Sequence, residues 1–400
     1  MTTSKAMAYT SRWVWCEPGD LRQGAAVVLH DGWIIAVEGR PPRGVKVQDL
    51  GEGLLLPGLI NAHTHLELSG LAGLVPPQGD FVGWLESMVA LRPAQLRQNG
   101  APATQAAVEA LAREGTALVG DVTNTGKAAP VLARAGVSAV SFFEALGAAK
   151  AEPPPAAASW QGALLCAAAV AAHAPYSVPT QRLTALKARA GNLPFAIHLA
   201  ESRAEVEFLA GQGAEGWRLE EFLAQRGLMR EALHLAADTP LGQLAVAKAL
   251  DRHTLLVHGV QLTSDEALRV AASGASLCVC PRSNLGLTGG LAPVEVLLAA
   301  GVNLALGTDS LASAPDLSLW AEMAALMQSK PGLDPEAVLT MATRGGAQAL
   351  GQAGRFGVLR PGAAGPLAFV PLPDLPESEV IEAVVRGEHA AAPKSVGRVV

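Results

Sequence analysis

The 400 residues predict an α/β protein: a (β/α)8 TIM barrel with a small β-sandwich domain built from both chain ends. Three observations carry that expectation. From Pro57 onward, short apolar runs alternate with polar loops and alanine-rich stretches, as strands and crossover helices do in a parallel sheet. Residues 1–56 read as short strands joined by turns. Beyond Arg355 a strand-like pattern returns, with many Pro and Gly, so the two β-rich ends are expected to meet beside the barrel.

Taken in order, residues 12–16, 25–30, 33–38 and 45–50 are strand candidates, with turns at Pro18-Gly19 and Asp31-Gly32. Asp-Gly between apolar runs is a strong hairpin signal. The barrel strands are expected at 59–65, 117–122, 137–144, 165–173, 194–199, 254–258, 275–280 and 302–308. Helices are expected at 103–114, 130–135, 179–189, 203–210, 264–273 and 293–300. Ala135-Gly136-Val137 and Ala300-Gly301-Val302 mark two helix ends, where glycine supplies the left-handed cap that returns the chain to a strand. The stretch 212–250 exceeds one helix and is expected to hold extra helices rather than a structureless loop. Pro153-Pro154-Pro155 reads as a loop, and residues 367–371 and 380–386 as strands. The expected divisions are 1–56 and 356–400 for the sandwich and 57–355 for the barrel.

Half the residues are apolar and 16% are charged, which supports a large core and excludes overall disorder. A net charge of −6 and only 4% aromatics provide neither the basic footprint nor the stacking surface of a nucleic-acid binder. No signal peptide is read at the N-terminus, and the apolar run 162–172 is too short to span a bilayer. A cytoplasmic protein that takes a small-molecule substrate, with no nucleic acid and no membrane, is expected. The sequence leaves the oligomeric state open, a homodimer being compatible with it. Cys16, Cys166, Cys278 and Cys280 lack disulfide or metal spacing and are expected as free thiols in the core.

Catalysis on such a barrel sits at the carboxyl ends of the strands. The polar residues there are His63 and His65 (strand one), Glu144 (three), His173 (four), His198 (five), His258 (six) and Asp309 (eight). Five of the nine histidines fall at these ends, a concentration that random placement would rarely produce. In a strand, positions i and i+2 face the same way, so His63 and His65 aim both imidazoles at one point. Together with His198 and Asp309 they offer three imidazoles and one carboxylate, a set suited to one divalent metal with a position open for water. Such a metal lowers the pKa of bound water from about 15.7 towards ~7. Glu201, three residues past His198, can stand beside the metal and move protons.

Pro57-Gly58-Leu59-Ile60-Asn61-Ala62-His63-Thr64-His65, Ile197-His198-Leu199-Ala200-Glu201, Val257-His258-Gly259 and Gly307-Thr308-Asp309-Ser310 resemble the amidohydrolase superfamily. Leu66-Glu67-Leu68-Ser69, His173-Ala174-Pro175-Tyr176 and Cys280-Pro281-Arg282-Ser283-Asn284-Leu285 resemble its cytosine deaminase/chlorohydrolase-like branch, which includes the S-adenosylhomocysteine and aminofutalosine deaminases. The likeness spans essentially the whole chain. It implies that His63, His65, His198 and Asp309 bind the metal, that Glu201 shuttles protons and that His258 positions the attacking hydroxide. Two departures stand out. Gly362-Ala363-Ala364-Gly365-Pro366-Leu367 replaces a segment where relatives often carry Ala-Asp-Leu. No lysine stands at the end of strand four, where binuclear members carry a bridging carboxylated lysine, so a single metal is expected, zinc first and iron second.

The implied chemistry is hydrolytic. Asp309 takes a proton from the bound water, an sp2 carbon is attacked, Glu201 protonates the adjacent ring nitrogen, and ammonia leaves. His258 stabilises the attacking oxygen or the developing charge. An aminopurine-type nucleoside derivative, similar to aminofutalosine or adenosylhomocysteine, is the expected substrate. A chlorohydrolase or cyclic-amide hydrolase on the same site is the alternative, and a non-catalytic binding protein that retains the barrel comes third. Phe81, Trp84 and Arg92 could line a pocket for a flat ring and an anion, or belong to an ordinary helix packed on the core. Arg282 could clamp a substrate carboxylate or form an ion pair behind the site. His173 is expected to hydrogen-bond substrate or the bound water.

Overall fold

The computed structural model describes residues 6–147 and 157–397; the expected loop at Pro153-Pro154-Pro155 lies outside them. Eight parallel strands form the barrel: Leu59–Thr64, Thr116–Thr123, Ser138–Ala145, Leu164–Ala172, Phe195–Leu199, Thr254–His258, Ser276–Val279 and Asn303–Leu306, each paired with the next. Their sequences are nearly continuous apolar runs because both faces are covered, the inner by opposing strands and the outer by helices. Inside pack Ile60, Leu118, Val140, Phe142, Ala171, Leu255, Val257 and Ala305. Strands one and eight meet at the carboxyl end, where Thr64 bridges to Asp309 and the His65 amide donates to the Asp309 carbonyl at 2.8 Å.

The seam at His63 depends on two glycines. Strand one shifts register against strand two between Asn61 and Thr64, the mark of a bulge that re-aims side chains. The Ala62 carbonyl then presses so near Gly120 that a Cβ there would lie 2.3 Å away. On the other side a Cβ at Gly307 would lie 2.7 Å from the His63 carbonyl. Any side chain at either position would push the histidine strand out of place.

The chain ends form two further sheets. One holds Trp33–Glu38, Ala26–His30, Met7–Thr10 and Lys46–Asp49; the other holds Lys394–Val396, Leu367–Pro371, Gly53–Pro57, Trp13–Glu17 and Asp20–Gln23. They share a core of Val14, Val27, Leu29, Ile34, Leu55, Leu367 and Phe369, which makes the expected sandwich of both ends. The stretch 212–250 does carry helices, at Ala214–Ala224, Arg230–Leu233 and Pro240–Val246. Cys16, Cys166, Cys278 and Cys280 are free, all but Cys166 fully buried.

One element differs in type. Residues 380–386, expected as a strand, belong to the helix Glu377–Arg386. Val380, Ala383 and Val384 recur at the i, i+3, i+4 spacing of a helical face and pack in one cluster with Met323, Leu326 and Met327. The run Val384-Val385 looked like β structure in isolation, but burial against a neighbouring helix decides it.

Candidate active site

Every polar side chain expected at a strand end faces one region. His63 Nε2 and His198 Nε2 lie 3.3 Å apart, and His65 Nε2 and His198 Nε2 3.4 Å. Asp309 Oδ1 is 3.6 Å from His65 Nε2 and 3.7 Å from His63 Nε2. On the far side, His258 Nε2 is 3.5 Å from Glu201 Oε1, and ligand atoms of Glu201, His258 and Asp309 fall within 4.8 Å of one another. Backbone strain accompanies this convergence: Ala200, His258 and Asp309 have φ of 49°, 77° and 54°. Non-glycine residues adopt that region at a cost on the order of 1 kcal/mol or more, and here it turns strand-end side chains inward.

Each group is held from behind. His198 Nδ1–H donates to the His173 carbonyl at 2.9 Å, which presents Nε2 as a lone-pair donor. Ser283 and Ser313 donate to Asp309 Oδ2 at 2.6 and 2.7 Å, leaving Oδ1 for the histidine side. Asn284 Nδ2 lies 2.9 Å from His258 Nδ1, and Ser177 Oγ 2.6 Å from His173 Nδ1. The Glu201 amide donates to Glu205 Oε2 at 2.9 Å.

Burial sets the charge states. It lowers His65 and His258 to about 3 and His173 to about 4, helped by nearby positive charge, and holds His198 well below the usual range. These imidazoles are therefore neutral at pH 7, the form that binds metal. Burial alone would raise Asp309, but the neighbouring His63, His65 and His258 imidazoles hold it well below the usual carboxylate range. Glu201 goes the other way: burial, then the charges of Asp309 and Glu205, push it well above. The two carboxyls of this one site are thus pushed in opposite directions, Asp309 towards losing its proton and Glu201 towards keeping it. Neutral imidazoles and an anionic carboxylate, all buried and converging, fit one divalent cation.

A cavity of about 460 Å³ opens in front of these groups, of a size typical for small-molecule sites. Trp84 and Arg92 line it, together with Phe81 and Tyr176. The Trp84 indole also donates to the Ala312 carbonyl at 2.9 Å, and Arg92 Nη2 to Asn124 Oδ1 at 2.7 Å. Arg282 is different. Its guanidinium donates to Glu322 Oε1 at 2.8 Å and Asp316 Oδ1 at 2.6 Å and does not reach the cavity. Of its two expected roles, the substrate clamp gives way to the ion pair, because Glu322 is fully buried and requires a cationic partner. The residues of that segment that serve the site are Ser283 and Asn284, one and two positions on.

Sequence reasoning missed Glu205, Asn124 and Arg226. Arg226 stacks on Phe222, 3.6 Å from the ring centroid, and lines the cavity. It comes from the long 212–250 stretch, whose return to the barrel mouth no local pattern announces.

The amidohydrolase family pattern matches residues 54–396. The chain belongs to the amidohydrolase family. This amidohydrolase is 31% identical over 362 residues to the aminodeoxyfutalosine deaminase of Deinococcus radiodurans, covering 85% of this chain and 84% of that one. It is 32% identical over 356 residues to the 5-methylthioadenosine/S-adenosylhomocysteine deaminase of Nitratidesulfovibrio vulgaris, covering 82% of this chain and 75% of that one. The crystal structure of Helicobacter pylori aminofutalosine deaminase in complex with methylthio-coformycin superposes with a TM-score of 0.83 at 24% identity, over 98% of this chain and 100% of that one. That structure shares the fold. No helix among the described residues is long and apolar enough to cross a membrane.

Proposed function

We propose that this amidohydrolase is a mononuclear metal-dependent deaminase of a 6-aminopurine nucleoside derivative substituted at the 5′ position. The observation that carries the proposal is the convergence of two carboxyls, Asp309 beside the His63 and His65 imidazoles and Glu201 3.5 Å from His258, at one end of the cavity. Deamination needs both a proton acceptor for water and a proton donor for the ring, and these two carboxyls are poised for those tasks. The deaminase relatives support the same class.

His63, His65, His198 and Asp309 would hold the metal, zinc first and iron second. When bound, the metal supplies a water acidified towards ~7 and polarised for attack. Asp309 accepts one proton as water adds to C6 of the purine. Glu201 gives its proton to N1, and His258, fixed by Asn284, hydrogen-bonds the incoming oxygen. The C6–N bond breaks, ammonia leaves with one of the two water protons, and the other restores Glu201.

With Arg282 engaged elsewhere, Arg92 and Arg226 are the guanidiniums that line the cavity, and no carboxylate pairs with either among the described residues. They favour a 5′ substituent that carries an anion. A screen of aminopurine nucleosides for ammonia release tests the proposal. Release from such compounds supports it; turnover of halide or cyclic-amide compounds alone would replace it with the other hydrolytic class.

A further inference from the structure

Glu205 is fully buried, takes no part in the proton transfers above, and stands one helical turn beyond Glu201. Its Oε2 accepts the Glu201 amide at 2.9 Å, and the Ala200 amide lies beside the same carboxyl. Its Oε1 is buried and has no hydrogen-bond partner among the described residues. Capping of the helix Arg203–Ala210 does not account for this group. Ser202 already caps that helix, its hydroxyl accepting the Glu205 amide at 3.2 Å. A carboxyl taken wholly out of water with one oxygen unpaired is costly to fold around, and it persists where another constraint demands it.

The constraint is the turn at residues 199–201. Ala200 has a φ of 49°, which a non-glycine residue holds only when its surroundings over-determine it. A left-handed residue turns successive amides towards one acceptor, and here Glu205 supplies that acceptor. The carbonyl edge of the turn is tied as well. Leu199 accepts from the Gly259 amide at 2.9 Å, and Ala200 from the Gln261 amide at 2.8 Å. Those donors follow directly on His258, itself wound to a φ of 77°. The turn that carries Glu201 is therefore pinned between Glu205 and the loop after His258, and Glu201 Oε1 ends 3.5 Å from His258 Nε2. Without the Glu205 acceptor the amide edge is unsatisfied, and the turn relaxes in a way that withdraws Glu201 from the ring nitrogen it protonates. A misplacement of about 1 Å at a reacting group costs on the order of 100-fold in rate.

We infer that Glu205 is a positioning residue: its carboxyl, by accepting the Glu201 amide, holds the strained turn that aims Glu201 at His258 and the reacting centre. This rests on the deaminase proposal and adds to it the group that places its proton donor.

The test measures ammonia release from S-adenosylhomocysteine by the metal-loaded protein, with the metal content of each variant read by elemental analysis. Glu205→Leu removes the acceptor at similar size and should lower kcat by about 10- to 100-fold, with KM within about threefold. Its metal content should stay at the wild-type level. Glu205→Gln keeps an acceptor for the Glu201 amide and should return kcat to within about threefold of wild type. Glu205→Asp, one methylene shorter, should fall between and covers a failure of Glu205→Leu to fold. The deciding measurement adds Glu205→Leu or Glu205→Asp to Glu201→Gln. The second change should slow kcat by no more than about twofold further, since residues that act as one unit are not additive. A helix cap would act independently of Glu201, so a full further fall would overturn the inference and leave the deaminase proposal standing. Loss of metal, a fall carried by KM, or a Glu205→Gln as slow as Glu205→Leu would do the same, as would an unchanged kcat in Glu205→Leu. Ammonia from no aminopurine nucleoside with the wild type would overturn both.

Discussion

The main-chain carbonyl of His173 accepts the Nδ1–H of His198 at 2.9 Å, so the end of strand four chooses the tautomer of a histidine on strand five. With Nδ1 occupied, Nε2 is the free donor, and it points at His63 and His65. A backbone acceptor is not removed by changing the His173 side chain, so this orientation does not depend on that imidazole.

The purified protein should therefore carry about one equivalent of a divalent metal, read by elemental analysis. His65→Ala should lose the metal while its far-UV circular dichroism and thermal transition remain cooperative, because the barrel core does not depend on that side chain. A variant that keeps its metal would remove His65 from the ligand set.

Glu201→Gln should retain the metal and slow kcat by roughly 10² to 10⁴, the range for a positioned acid–base group. The amide has nearly the same size but cannot cycle a proton, so KM should change little. A kcat within threefold of wild type would mean that another group protonates the ring.

Arg282 and Arg226 should separate cleanly. Arg282→Met strands Glu322 in the core without its cation and should destabilise the fold by about 3 kcal/mol in urea unfolding. It should alter KM equally for neutral and anionic 5′-substituted nucleosides. Arg226→Met should leave stability within about 0.5 kcal/mol, as an exposed rim residue. It should raise KM for the anionic substrate alone. The reverse pattern would return the anion to Arg282.

Asp121 tests the pH dependence of the fold. Burial raises it from 3.8 to about 8, with Glu67 adding to the effect and the Leu66 amide opposing it. The folded state holds this proton between pH 4 and 8 while the unfolded chain releases it, so stability falls as pH rises through that window. Asp121→Asn keeps an acceptor for the Leu66 amide and removes the titration. Its melting temperature relative to wild type should rise by at least about 2 °C between pH 5 and pH 8. A flat difference would mean that Asp121 is ionised in the folded protein throughout.

The barrel was legible because both-face burial forces long apolar strands and because glycine must end many of the intervening helices, as at Gly136 and Gly301. The histidines were legible for a related reason: catalytic groups on this fold collect at strand ends, so locating the strands located them. The segment 380–386 was misread because a short apolar run fits a strand and a buried helix equally well. Only the neighbouring helix, with Met323 and Met327, chooses between them.

Chain position alone thus determined the strand order, the two β-rich ends and which residues could reach a common point, since all three follow from local periodicity and from one topological rule. What the charges would do was left to the tertiary structure. Arg282 and Arg226 are the same side chain, yet one is neutralised by Glu322 and the other faces the cavity. Glu201 and Asp309 are both carboxylates, yet one is pushed to hold its proton and the other to lose it. Those outcomes depend on burial and on partners distant in sequence, through electrostatic interactions that no local pattern encodes.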